Sequence, residues 1–326
     1  MPSARHLVAL LRSHIEGDDQ QFLSIALQLA AHEARVGHGR FANELKELVD
    51  EAKSRSSLLE RTKGPVPLAQ PRGELAALLS VHYPDTKLSG MVLTPELGSR
   101  LKRILTEQRQ THKLAARNLS PRRKLLLLGP PGSGKTMTAS ALAGELQLPL
   151  FTILLEGLIT KFMGETAAKL RLVFDAIAKM RGVYLFDEFD ALGARRSSLN
   201  DVGEIRRVLN SFLQFLENDN SRSLIVAATN HPEILDTALF RRFDDVLEYN
   251  LPSPTLQEKL FKSRLATFNT KGVNWEKISQ EAEGLSYADI TRVSDEAAKM
   301  SILDDSDSIT TNMLLAAISE KKNSRS

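Results

Sequence analysis

Residues 124–136, reading K-L-L-L-L-G-P-P-G-S-G-K-T, restrict the possible folds of this chain more than any other stretch. Leu125, Leu126, Leu127 and Leu128 form an apolar run that reads as a strand buried on both faces, the kind found in sheets with helices on each side. Gly129 turns the chain, and Gly134, Lys135 and Thr136 lead straight into an alanine-rich helical stretch. Strand, glycine-rich turn and helix in that order make the spacing G-x-x-x-x-G-K-[ST] a phosphate loop rather than a chance Gly-Pro turn. Gly129, Pro130, Pro131, Gly132, Ser133, Gly134, Lys135, Thr136 and Met137 are the expected nucleotide cradle. Glycines let backbone N–H groups converge on phosphate oxygens, and the helix N-terminus adds positive potential. The Lys135 ammonium suits the β and γ phosphates and the Thr136 hydroxyl suits Mg²⁺, so ATP and Mg²⁺ are the expected ligands.

Three later stretches carry matching chemistry. Residues 183–188, V-Y-L-F-D-E, are an apolar strand presenting two carboxylates at its C-terminal end, where open α/β sheets bind ligands. Neighbouring carboxylates diverge there, so Asp187 is expected in the Mg²⁺ shell and Glu188 beside the attacking water. The next apolar run ends at Asn230, which either meets the γ-phosphate and its water or caps a turn before Pro232. Arg241 and Arg242 follow on a short connection. A planar, permanently charged guanidinium suits developing phosphoryl charge, although an Arg-Arg pair is more often a solvated surface feature.

Periodicity organises the remainder. Strands are expected over 124–128, 150–154, 183–186, 224–228 and 246–249, with helices over 135–146, 165–179 and 202–217; this alternation implies a parallel sheet. After Pro252 and Pro254 only helices are expected, over 255–267, 275–283, 288–303 and 311–321. The expected division is a helical bundle over 1–60, a linker over 61–87, a large α/β subdomain over 88–251 and a helical lid over 252–326. Phe22, Ile25, Ala26 and Leu29, then Phe41, Leu45, Leu48 and Val49, are the stripes that argue for the bundle. Pro65, Pro67 and Pro71 argue for the linker, with residues 74–81 read as one or two helical turns and 95–116 as a helix. The absence of cysteine excludes disulfides and thiolate metal sites. The net charge of +3 is too small to argue for nucleic acid. No apolar run would span a bilayer and the start of the chain lacks an apolar signal core, so a cytoplasmic protein is expected.

Taken together, G-P-P-G-S-G-K-T, Y-L-F-D-E-F-D, A-A-T-N, A-L-F-R-R-F-D and G-L-S-Y-A-D resemble the AAA+ superfamily, and more narrowly the AAA family proper, which includes spastin and katanin. The resemblance implies a sheet of five parallel strands in the order 5-1-4-3-2, a C-terminal helical lid and ATP hydrolysis. It implies a ring, usually of six copies, with Arg241 and Arg242 as arginine fingers in the neighbour's site and Asn230 as the γ-phosphate sensor. Lys161, Phe162 and Met163 resemble the first pore loop, with Phe162 gripping polypeptide, and residues 195–204 take the position of the second. Gly284 and Ala288 are expected against ribose and adenine, with Tyr287 standing where the family usually has glycine. The partners implied are copies of itself and a protein substrate. A separate protease is a further candidate; proteolysis by the chain itself is not expected, since it has neither H-E-x-x-H nor G-x-S-x-G. Two rival readings stay open: a nucleic-acid loader, against which an aromatic pore residue argues, and an ATP-gated assembly switch that does no mechanical work.

Overall fold

A computed structural model describes residues 71, 73–158, 163–192, 201–234 and 237–324, together with Ala26, Leu29, Ala30, Ala42, Asn43, Glu47 and Val49. The chain divides into two units, Met1–Leu68 and Ala69–Ser326. In the first unit the described residues are helical, with Ala26, Leu29, Ala30, Ala42 and Val49 buried. The three-helix reading of residues 1–60 otherwise lies outside the described residues.

The second unit runs α1 (Glu74–Leu78), β1 (Leu79–His82), α2 (Pro95–Arg109), α3 (Thr111–Ala115), β2 (Lys124–Leu128), α4 (Lys135–Leu146), β3 (Leu150–Ile153), α5 (Leu155–Leu158), α6 (Met163–Lys179), β4 (Val183–Phe186), α7 (Asp201–Asn218), β5 (Leu224–Thr229), α8 (Thr237–Phe240) and β6 (Asp245–Glu248). Four helices close the chain: α9 (Pro254–Arg264), α10 (Trp275–Glu281), α11 (Tyr287–Leu303) and α12 (Thr311–Asn323). Local chemistry sets several starts. The Thr94 hydroxyl accepts from Leu97 N at 3.2 Å ahead of Pro95, and Ser286 with Asp289 forms a reciprocal capping box at α11. The helix expected over 95–116 is two helices, interrupted at Gln110.

The sheet order is β1-β3-β4-β5-β2-β6, so the five parallel strands run in the expected 5-1-4-3-2 order. The expectation of five strands is corrected to six. β1 pairs antiparallel with β3, from Leu79 opposite Ile153 to His82 opposite Leu150. It comes from the stretch read as linker, where the helix-forming E-L-A-A-L before it gave a helical reading of the whole segment.

Strand residues alternate between two cores. Leu126, Phe151, Tyr184, Phe186 and Ile225 face Val173, Phe174, Ile177, Phe212 and Leu216 of α6 and α7. Leu125, Leu127, Val183, Leu185 and Val226 face Leu101, Ile104, Ala139 and Leu142 of α2 and α4. The lid has its own core of Phe261, Leu265, Ile278, Ile290, Val293, Leu314 and Ile318, joined by Val92. Burial on both faces explains why the central strands carry unbroken apolar runs. Among the described residues no helix is long and apolar enough to cross a membrane.

Candidate active site

The site lies at the C-terminal ends of β2, β4 and β5, which the parallel arrangement brings side by side. Gly129 leaves β2 at φ +146°, and an added Cβ would lie 2.2 Å from the carbonyl oxygen of Tyr249, so the turn tolerates only glycine. Gly132 faces the lid: an added Cβ would meet Ser286 Oγ at 2.5 Å and Ala288 Cβ at 3.0 Å. Ala288 N donates to Gly132 O at 3.0 Å, which fastens the start of α11 to the phosphate loop. Helix α4 begins at Lys135 with no side-chain cap, so its first-turn N–H groups are available to an anion.

Lys135 is 6% exposed, and its ammonium donates to Gly129 O at 2.7 Å, Pro130 O at 2.9 Å and Asn230 Oδ1 at 2.8 Å. Burial holds its pKa below the ordinary lysine value, while Asp187 and Asp190 pull it back up. Thr136 Oγ1 donates to Asp187 Oδ2 at 2.6 Å, and Asp187 Oδ1 accepts from Glu188 N at 3.0 Å. Lys135, Thr136, Asp187 and Asn230 therefore form one cluster, with Glu188 at its edge. The F-D-E-F sequence explains how. Phe186 and Phe189 are fully buried against Phe212, with ring centroids 5.0 and 4.7 Å from it, and this leaves Asp187 half-buried and Glu188 exposed. Glu188 has φ +48°, in the left-handed region, at a cost of about 1–2 kcal/mol to an L-residue.

Arg241 is exposed after α8, and among the described residues its guanidinium has no partner. Arg242 is ion-paired with Glu217 at the end of α7. The connection that follows is anchored to β2: Asp244 accepts from the backbone of Arg123 at 2.8 Å and Lys124 at 2.9 Å, and Asp245 accepts from Arg100 and from Arg122. A cavity of about 360 Å³ beside the loop is lined by Ser133, Tyr249, Tyr287, Arg100 and Glu248. Burial raises the Tyr287 phenol pKa there. Met137 is exposed beyond the loop, and Gly284, at φ +79°, is exposed ahead of Ala288. Lys161 and Phe162 lie outside the described residues, as do residues 195–200; of Met163 only the backbone, opening α6, is described.

Sequence reasoning missed Asp190, whose Oδ1 accepts from Thr229 Oγ1 at 2.8 Å and from Asn230 N at 3.3 Å. It also missed Tyr249, whose buried hydroxyl donates to Thr138 Oγ1 at 2.7 Å and ties α4 to the exit of β6. Asp190 was within sight, as the last residue of Y-L-F-D-E-F-D, one helical turn beyond Asp187.

Residues 125–251 match the family model described as ATPase family associated with various cellular activities (AAA). An uncharacterized AAA family ATPase, y4kL, of Sinorhizobium fredii is 32% identical over 291 residues, 88% of this chain and 86% of that protein. The chain belongs to the AAA family of ATPases. Like its family it binds nucleotide and hydrolyses ATP. The proteasome-activating nucleotidase of Saccharolobus solfataricus is 36% identical over 243 residues, 69% of this chain; the match spans 61% of that protein's length. Among solved structures, the FIGL-1 AAA domain superposes with a TM-score of 0.59 at 25% identity, covering 78% of this chain and 90% of that one.

Proposed function

We propose that the protein is a Mg²⁺-dependent remodelling ATPase that hydrolyses ATP between copies of itself. The observation that carries this reading is the contrast between the hydrogen-bonded cluster of Lys135, Thr136, Asp187 and Asn230 and the exposed Arg241, whose guanidinium meets no partner among the described residues. The cluster suits one triphosphate, whereas Arg241 has no task among the described residues of its own chain.

In this reading Lys135 and the loop amides hold the phosphates and Asn230 faces the γ-phosphate. Glu188 orients and polarises the attacking water. Thr136 and Asp187 would hold Mg²⁺, which when bound neutralises phosphate charge. Their hydroxyl and carboxylate oxygens are the hard donors that ion takes. Arg241 and Arg242 would reach the neighbouring copy's γ-phosphate, and for Arg242 that requires release from Glu217. Gly284 and Ala288 would border the base and ribose. The chain's likeness to a proteasome-activating nucleotidase and to the FIGL-1 AAA domain supports a polypeptide substrate in a ring, gripped by Phe162 with Lys161 and Met163 beside it.

Mixed assembly tests the arrangement. Glu188→Gln is expected to bind ATP without turnover, and Arg241→Ala to lose about 10³-fold or more in kcat while keeping ATP affinity. Mixing Arg241→Ala with Lys135→Ala subunits should restore activity, because some interfaces then pair an intact cradle with an intact Arg241. Mixtures as inactive as either variant would refute action between copies. Phe162→Ala with normal ATPase and normal unfolding of a tagged substrate would refute the pore role.

A further inference from the structure

We infer that Asp190 is a positioning residue for hydrolysis: its single carboxylate fixes Asn230, and through it Lys135, relative to the turn that carries Asp187 and Glu188. The inference rests on the roles just proposed for Asn230 and Glu188. Asp190 belongs to the short 3₁₀ turn Phe189–Leu192 that immediately follows Glu188, so its Cα is tied to the β4 exit by three covalently linked residues and by the buried Phe189 ring. Its bonds, however, go to the exit of another strand. Oδ1 accepts from Thr229 Oγ1 at 2.8 Å and from Asn230 N at 3.3 Å. The Thr229 hydroxyl, on a fully buried residue, also accepts from His231 N at 3.0 Å. Asp190 therefore holds Asn230 N directly and His231 N through Thr229, satisfying the two amides that emerge where β5 ends. Asn230 Oδ1 then accepts from the Lys135 ammonium at 2.8 Å, which continues the chain of bonds to the phosphate loop.

Without that carboxylate the β5 exit loses an anionic acceptor, and the Asn230 side chain has no fixed origin. A displacement of about 1 Å in such a group costs as much as a hundredfold in rate. Ground-state nucleotide binding is held mainly by the loop amides and the α4 N-terminus and should survive.

The experiment is steady-state ATPase with parallel nucleotide-affinity and melting measurements on the full chain. Asp190→Ala is expected to lower kcat about ten- to a hundredfold, with ATP affinity within about threefold of the starting protein. Asp190→Asn, which retains an oxygen acceptor, should recover most of kcat. Asp190→Ala and Asn230→Ala should be strongly non-additive in a double-mutant cycle. Turnover by Asp190→Ala within about twofold of normal, additive losses, or parallel falls in affinity and melting without rescue by Asp190→Asn would each overturn the inference. Should Asp190→Ala not fold, Thr229→Val removes one arm of the bond set; a several-fold drop in kcat at constant affinity supports the inference, and unchanged kcat overturns it. Normal turnover in Asn230→Ala would instead remove the residue that Asp190 positions, and the site reading would fall first.

Discussion

Replacing Gly129 by alanine should unfold the junction between the sheet and the nucleotide cradle, and the size of the effect follows from its surroundings. An added Cβ would lie 2.2 Å from Tyr249 O and 2.9 Å from Tyr249 C, both backbone atoms that no rotamer change can move. Tyr249 is held there by its N–H to Leu128 O at 2.7 Å and by its hydroxyl to Thr138. The backbone at φ +146° costs a side chain about 1–3 kcal/mol. Forcing β2 and β6 apart to admit the methyl adds about 1–3 kcal/mol of overpacking. A weakened backbone bond adds about 1 kcal/mol. The expected loss is about 3–7 kcal/mol, at or beyond the upper end of single-substitution effects. Denaturant unfolding followed by circular dichroism measures it. Gly98→Ala is the internal control: Gly98 lies inside α2 with open space around an added Cβ, and the change should stabilise by about 0.5–1 kcal/mol. A Gly129→Ala protein within about 1 kcal/mol of the starting stability would refute the steric argument.

Three further outcomes are expected. Gly132→Ala should weaken nucleotide affinity more than stability, because its added methyl meets the side chains of Ser286 and Ala288 rather than backbone; hydrogen exchange at the start of α11 should rise, and unchanged exchange would contradict the lid contact. Burial lowers the Lys135 pKa, and a bound triphosphate must raise it, so ATP binding takes up a proton and affinity falls as pH rises through that window, below the ordinary lysine value of 10.5. Titration calorimetry as the pH is raised toward 10.5 checks this, and an affinity that stays flat up to that pH would refute it. The same shift makes the folded protein gain stability from this group as pH rises through the lowered value. Asp245→Ala strips an anion, 10% exposed, from Arg100 and Arg122, and should cost about 1–3 kcal/mol in thermal unfolding; a change below about 0.5 kcal/mol would show the clamp to be solvated.

The sequence disclosed much of the site because phosphate chemistry demands particular residues at particular spacings. Lys135 and Thr136 were fixed by the loop motif, and Asp187 by an apolar strand that could end only at a ligand-facing edge. The central strands β2, β4 and β5 were legible because they are buried on both faces and so form near-continuous apolar runs. β1 was not, since Leu79–His82 is a four-residue strand with one well-buried position, preceded by a helix-forming run. Asp190 escaped because its task is to bind the backbone at the end of a different strand, a pairing that depends on β4 and β5 being neighbours. The bond between Arg242 and Glu217 escaped for a similar reason: α7 and the β6 approach are far apart in sequence and meet only in the fold.

The two margins of the sheet have a further consequence. Leu79–His82 on one side and Asp245–Glu248 on the other are each four residues long, and the latter carries acidic groups. Strands this short give an incoming polypeptide few main-chain partners, so fibre-like growth by strand addition is blunted at both borders. The association between copies proposed for Arg241 would thereby be left to side-chain surfaces, which can part and meet again with every turnover.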